Sequence, residues 1–168
     1  MTKLKVLIAD GLADDGIAIL QRVADVTSKP KITTEELIAE LPQYQALVVR
    51  SRTKVTKQVI DAGTSLKVIG RSGVGVDNID VDAATVKGIA VVNSPLAATV
   101  SVAELTMGLI IAMSREIPRG DSAMKNGEWL KSGLNGIELY SKTLGLVAVG
   151  RIGAAVAGRA GAFGMKVM

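Results

Sequence analysis

Histidine and cysteine are both absent from this chain of 168 residues. Without cysteine it can hold neither a disulfide nor a thiolate-bound metal, which suits a reducing compartment. Without histidine it has no imidazole to serve as general base or metal ligand, so the commonest catalytic side chain is excluded. Aromatic residues are scarce as well, at 2%. A surface for stacking nucleic-acid bases is therefore not expected, although the net charge is +4. Acids and bases balance up to Ser114, and the excess positive charge beyond it is scattered among apolar residues. No uninterrupted apolar run of about eighteen residues occurs, and the opening MTKLKVLIAD reads as a charged strand, not a signal peptide. The expected location is cytoplasmic, with neither nucleic acid nor membrane as partner.

Apolar residues make up 48% of the chain and glycines number 18. A core built from Val, Ile, Leu, Ala and Met, with many tight turns, suits an α/β protein with buried parallel strands. Apolar runs predict strands over 4–9, 46–49, 66–70 and 89–92. Helical spacing predicts helices over 16–23, from Thr34 to a stop at Pro42, over 56–62 and over 81–87. This alternation predicts a flavodoxin-like parallel sheet over residues 1–97.

After Pro95 the character changes. SVAELTMGLIIAMSREI is apolar nearly all round and predicts a long buried helix, with helix continuing to about Lys125. A strand over 143–149, a helix over 151–163 and a further strand start at 165–168 follow. Residues 98–168 thus read as a long helix and an incomplete Rossmann βαβ unit, a partial dinucleotide-binding domain.

The turn within that unit reads Ala148, Val149, Gly150, Arg151, Ile152, Gly153. Glycines between a strand and a helix let a pyrophosphate reach backbone N–H groups at the helix start, so Gly150, Arg151, Ile152 and Gly153 are candidate cofactor contacts. Ala148 stands where the GxGxxG pattern has its first glycine. Alanine can make the turn with a negative φ, which is expected here, but its methyl group crowds the bend and lowered cofactor affinity is expected. The acid that holds the ribose hydroxyls belongs about 20 residues past the glycines, beyond Met168. The same glycines could instead serve only close helix packing.

Four ordered blocks carry a resemblance across nearly the whole chain: ELIAELPQYQALVVRSRTKVT, VIGRSGVGVDNIDVDAATVKGIAVVNSP, SVAELTMGLIIAMSREIP and KTLGLVAVGRIG. They resemble the first half of the catalytic core of the D-2-hydroxyacid dehydrogenase family. The resemblance implies hydride transfer between NAD and a small phosphorylated 2-hydroxy acid. It implies that Arg50 and Ser51, with Arg52 as a further candidate, and Arg71 receive the anionic groups of the substrate. A guanidinium fork matches both phosphate and carboxylate. The backbone of Ser72, Gly73 and Val74 is implied to face the substrate carboxylate, with Val74 also near the nicotinamide. Outside the family pattern, the favoured reading of Arg50 and Arg71 is a solvated or salt-bridged side chain at a strand end.

The resemblance further implies that Ser101, Val102, Ala103 and Glu104 open an interdomain helix beside the cofactor. Helices over 100–125 are implied to form a homodimer contact, with Lys131 near the partner subunit's substrate or else a plain surface lysine. The arginine, histidine and carboxylate that perform the family's chemistry lie in its later half, so no catalytic residue and no metal ligand is assigned here. The expectation is an N-terminal portion of a longer dehydrogenase that binds its ligands, NAD included, weakly or not at all and is inactive alone. The alternative is a non-catalytic module, natural or engineered, that binds phospho-acids or dimerises.

Overall fold

A computed structural model describes residues 3–168. They form two compact units, one ending at Ala97 and the other spanning Ala98–Met168. The first is built on a five-stranded parallel sheet: β1 (Leu4–Ile8), β2 (Ala24–Ser28), β3 (Ala46–Val49), β4 (Val68–Arg71) and β5 (Ala90–Asn93). Their spatial order is β2-β1-β3-β4-β5. This is the flavodoxin-like order, which reverses direction between β1 and β3. Helices α1 (Asp14–Gln21), α2 (Thr34–Glu40), α3 (Lys57–Ala62) and α4 (Val81–Val86) connect the strands.

Local sequence accounts for these elements. The inner strands carry Leu7, Leu47, Val49 and Ile69, all completely buried, and pack with Leu37, Leu41, Val59 and Ile60 from the connections. Helix α2 starts on a capping box: Thr33 Oγ1 accepts the Glu36 N–H at 3.2 Å, and Glu36 Oε2 accepts the Thr33 N–H at 2.9 Å. A 3-10 turn over Leu41–Gln43 ends it, with Pro42 inside that turn. Asp80 caps α4 by accepting the Ala83 N–H at 2.9 Å.

One strand departs from the sequence expectation. β2 lies where no strand was predicted, because ADVTS is mostly polar. It pairs in full with β1, from Leu4 beside Ala24 to Ile8 beside Ser28, and it forms an edge of the sheet. An edge strand needs no continuous apolar run to be held.

The second unit contains α5 (Thr99–Ser114), α6 (Ile117–Lys125), β6 (Thr143–Leu144), α7 (Arg151–Ala162) and β7 (Lys166–Val167). The predicted continuous helix breaks between α5 and α6, where Glu116 takes a left-handed φ of 53°. Pro118 is the cause. In an unbroken helix its ring would strike the carbonyl of Ser114 and it could donate no N–H. That carbonyl instead accepts the Ile137 N–H at 2.7 Å.

β6 and β7 pair in parallel, Thr143 beside Lys166 and Leu144 beside Val167. The predicted strand over 143–149 is shorter than expected, because the last ladder bond is the Leu146 N–H to the Met168 carbonyl at 2.7 Å. From Val147 the backbone has no strand neighbour among the described residues. Helices α5 and α7 share a small core of Ala103, Met107, Val156 and Ala160. Val100, Leu105, Leu109 and Met113 of α5 stay exposed. No described helix is long and apolar enough to cross a membrane.

Candidate functional site

In a sheet of this order, ligands bind beyond the carboxyl ends of the strands where the winding reverses, here past β1 and β3. Asp10 follows β1, and the segment Arg50–Thr53 follows β3. Asp10 is 3% exposed. Its Oδ2 accepts the N–H of Arg50 at 2.6 Å and that of Thr53 at 3.2 Å. Its Oδ1 accepts the Thr53 hydroxyl at 2.7 Å and lies 3.0 Å from Arg52 Nη2. Burial by itself would raise the Asp10 pKa, but the bonds from Thr53 and Arg50, with the Arg52 charge, outweigh it. The carboxyl is held below its ordinary range and stays ionised.

From the other side, Asn78 Nδ2 donates to the carbonyl of Arg50 and to that of Thr53, both at 2.7 Å. The loop is therefore fixed at its backbone while the Arg50 guanidinium is exposed, with no hydrogen bond or ion pair among the described residues. Ser51 is exposed beside it. Arg52 is different, because its guanidinium is spent on Asp10, on the Ala9 carbonyl at 2.6 Å and on the Ile32 carbonyl at 3.3 Å.

Arg71 ends β4 and pairs in register with Val49, the residue before Arg50. Its side chain folds back over its own loop. Nη1 donates to the Ser72 carbonyl at 3.3 Å, and Nε is buried with no partner among the described residues. Gly73, at φ 152°, makes room for it, since a Cβ there would collide with the guanidinium. The Ser72 and Gly73 N–H groups donate to the carbonyls of Val49 and Arg71, at 2.8 Å each. Val74 is partly exposed, and its carbonyl accepts Asn93 Nδ2 at 2.6 Å.

The glycine turn lies in the second unit. Ala148 adopts φ +70°, which corrects the expectation of a negative φ. The chain reverses between β6 and α7 in the left-handed conformation that a glycine would normally supply, and alanine is forced to follow. Gly150 is the N-cap of α7 and brings no side chain to cap it. A Cβ on Gly153 would stand 2.7 Å from the Ala148 carbonyl oxygen, so only glycine fits. An uncapped helix start behind a bare backbone has the chemistry that accepts a pyrophosphate.

Among the other predicted positions, Ser101 Oγ donates to the Ala98 carbonyl at 3.3 Å, and Glu104 lies 3.4 Å from Arg159. Val102 is exposed, whereas Ala103 is buried against α7. Lys131 borders an apolar groove of about 310 Å³ with Met124, Trp129 and Leu134. No cluster of potential metal ligands occurs among the described residues. Sequence reasoning missed Asp10, Thr53 and Asn78. For Asp10 a signal existed, an acid placed directly after the apolar run LKVLIA.

Comparison with known proteins bears on the family and the fold. The catalytic-domain model of the D-isomer specific 2-hydroxyacid dehydrogenases matches residues 6–163. A D-3-phosphoglycerate dehydrogenase of Methanocaldococcus jannaschii is 53% identical over 165 residues, covering 98% of this chain and 32% of the relative. The chain thus spans about a third of the length of such curated relatives. Among solved structures, the TT0316 protein of Thermus thermophilus superposes with a TM-score of 0.89 at 34% identity, over 98% of this chain and 55% of that one. An acyclic imino acid reductase in complex with NADPH and D-Arg superposes at 0.86 and 29% identity, with the same coverage. A phosphoglycerate dehydrogenase-like sequence, a flavodoxin-like sheet and a βαβ glycine turn converge on one conclusion: the chain belongs to the D-isomer specific 2-hydroxyacid dehydrogenase family.

Proposed function

We propose that this chain supplies the substrate-anion site and part of the dinucleotide site of a D-3-phosphoglycerate dehydrogenase. The reaction is oxidation of 3-phospho-D-glycerate at its C2 hydroxyl, giving the 2-oxo acid on the route to serine. The observation that carries the reading is the Arg50 guanidinium, without a partner among the described residues, at the switch point on a loop fixed by Asp10 and Asn78. Arg71 stands on the neighbouring strand with Nε unsatisfied, a second cation for the same ligand. A phosphate and a carboxylate on one small molecule match two guanidinium groups.

NAD, when bound, accepts the hydride that leaves C2. The backbone of Gly150 to Gly153 would hold its pyrophosphate. The chain contains no histidine to take the hydroxyl proton. In our reading, its residues bind and orient while the proton-transfer groups lie in the later part of the family's sequence, so these 168 residues alone do not turn over. We place the protein in the cytoplasm and infer a homodimer through α5 and α6, a reading supported by the exposed Leu105, Leu109 and Met113.

Calorimetric titration with 3-phosphoglycerate tests the site. The parent chain should release or take up heat on binding, and the double variant Arg50→Ala, Arg71→Ala should show none. Equal binding by both would move the substrate site elsewhere.

A further inference from the structure

The two side chains that hold the Arg50 loop grip the same pair of residues from opposite sides. Asp10 takes the N–H groups of Arg50 and Thr53, and Asn78 gives its two amide hydrogens to the carbonyls of Arg50 and Thr53. Both backbone polar groups of each residue are thus satisfied without any regular secondary structure. The orientation of the Asn78 amide follows from chemistry, because the flipped amide would set its oxygen against two carbonyls. The arrangement leaves Asn78 Oδ1 buried without a partner among the described residues, which is unfavourable by itself. Two short donor contacts offset that cost.

Asn78 also belongs to the connection that begins at Arg71. Next to it, Val55 bridges Ile79: the Val55 N–H donates to the Asn78 carbonyl at 2.8 Å, and the Asp80 N–H to the Val55 carbonyl at 2.9 Å. The loops carrying the two site arginines are therefore stitched together, and Asp10 ties the Arg50 loop to β1. Arg50 thus has a backbone held from both sides, next to the connection that begins at Arg71, and its guanidinium has no partner among the described residues.

On the functional reading above, we propose that Asp10 and Asn78 are the positioning residues of the anion site. By fixing the spacing between Arg50 and Arg71 they make it select ligands with two anionic groups over ligands with one. Neither residue touches substrate in this scheme. Both act through Arg50.

The experiment titrates 3-phosphoglycerate and inorganic phosphate into the parent chain, Asp10→Asn and Asn78→Ala, each with and without Arg50→Ala. Circular dichroism confirms the fold of each. Either single variant should weaken 3-phosphoglycerate about tenfold, equivalent to one or two backbone hydrogen bonds, and phosphate less than about twofold. In the Arg50→Ala background the same changes should add almost nothing, as expected for residues acting through one partner. Equal weakening of both ligands, or full additivity with Arg50→Ala, would mean generic structural support and overturn the proposal. So would parent-like binding by folded variants. Should Asp10→Asn fail to fold, Asn78→Ala and Thr53→Val, which deletes only the hydroxyl bond to Asp10, carry the same comparison. A parent chain that binds neither ligand overturns the functional reading itself, and this inference with it.

Discussion

Gly153 and Ala148 face each other so closely that a Cβ on the glycine would lie 2.7 Å from the alanine's carbonyl oxygen. The turn between β6 and α7 closes only because that methyl is missing. Gly153→Ala should therefore destabilise the second unit by about 1–3 kcal/mol, the range for overpacking, and distort the helix start. Thermal melts of the parent and variant check the first effect. A variant with an unchanged melting temperature would show that the turn relaxes without cost.

Ala148 offers the opposite test. A non-glycine residue at φ +70° is disfavoured by about 1–2 kcal/mol, partly balanced by the extra chain entropy of glycine. Ala148→Gly should raise stability by up to about 1 kcal/mol, read as a higher urea midpoint at unchanged slope.

The Asp10 carboxylate makes stability depend on acid. Its folded pKa lies below the ordinary 3.8, so its contribution is complete above that value and is lost as pH falls through the lower folded one. At pH 7, Asp10→Asn should be less stable than the parent by about 2–3 kcal/mol, the worth of charge-assisted bonds to a buried group. The gap should narrow as pH drops below 3.8. Melting curves between about pH 7 and pH 3 would reveal it, and a constant gap would argue against an ionised Asp10.

Gly73→Ala places a methyl group where the Arg71 guanidinium now rests. Arg71 must then leave the Ser72 carbonyl, and the backbone must hold φ 152° with a side chain. A loss of about 1–3 kcal/mol in stability is expected, together with weaker binding of 3-phosphoglycerate by calorimetry. Unchanged binding would show that the folded-back Arg71 is not the conformation the ligand meets.

Much of the fold could be read from the chain itself. Runs such as LKVLIA and ALVV supply enough apolar surface to be buried on both faces, and they became inner strands. ADVTS did not announce itself, because β2 is an edge held mainly by its full ladder with β1. The split between α5 and α6 was visible in Pro118 but was outweighed by the apolar character of the preceding segment. At the site, Arg50 and Arg71 stood out through the family pattern. Asp10 and Asn78 did not, since each is one polar residue whose partners lie 40 and 28 positions away in sequence. Sheet register brings them together, and no local spacing encodes it. The left-handed Ala148 was hidden for a similar reason, as the need to reverse the chain prevails over the residue's own preference.

The stitching of the Arg50 loop to β1 and to the β4 connection also bears on how this unit comes to exist. Three segments far apart in sequence must be aligned before the guanidinium has an address, so a half-assembled sheet offers an anion nothing organised to hold. A ligand captured there reports that assembly is complete. By mass action it also draws the population toward the assembled state, stabilising every strand in the unit and not the loop alone.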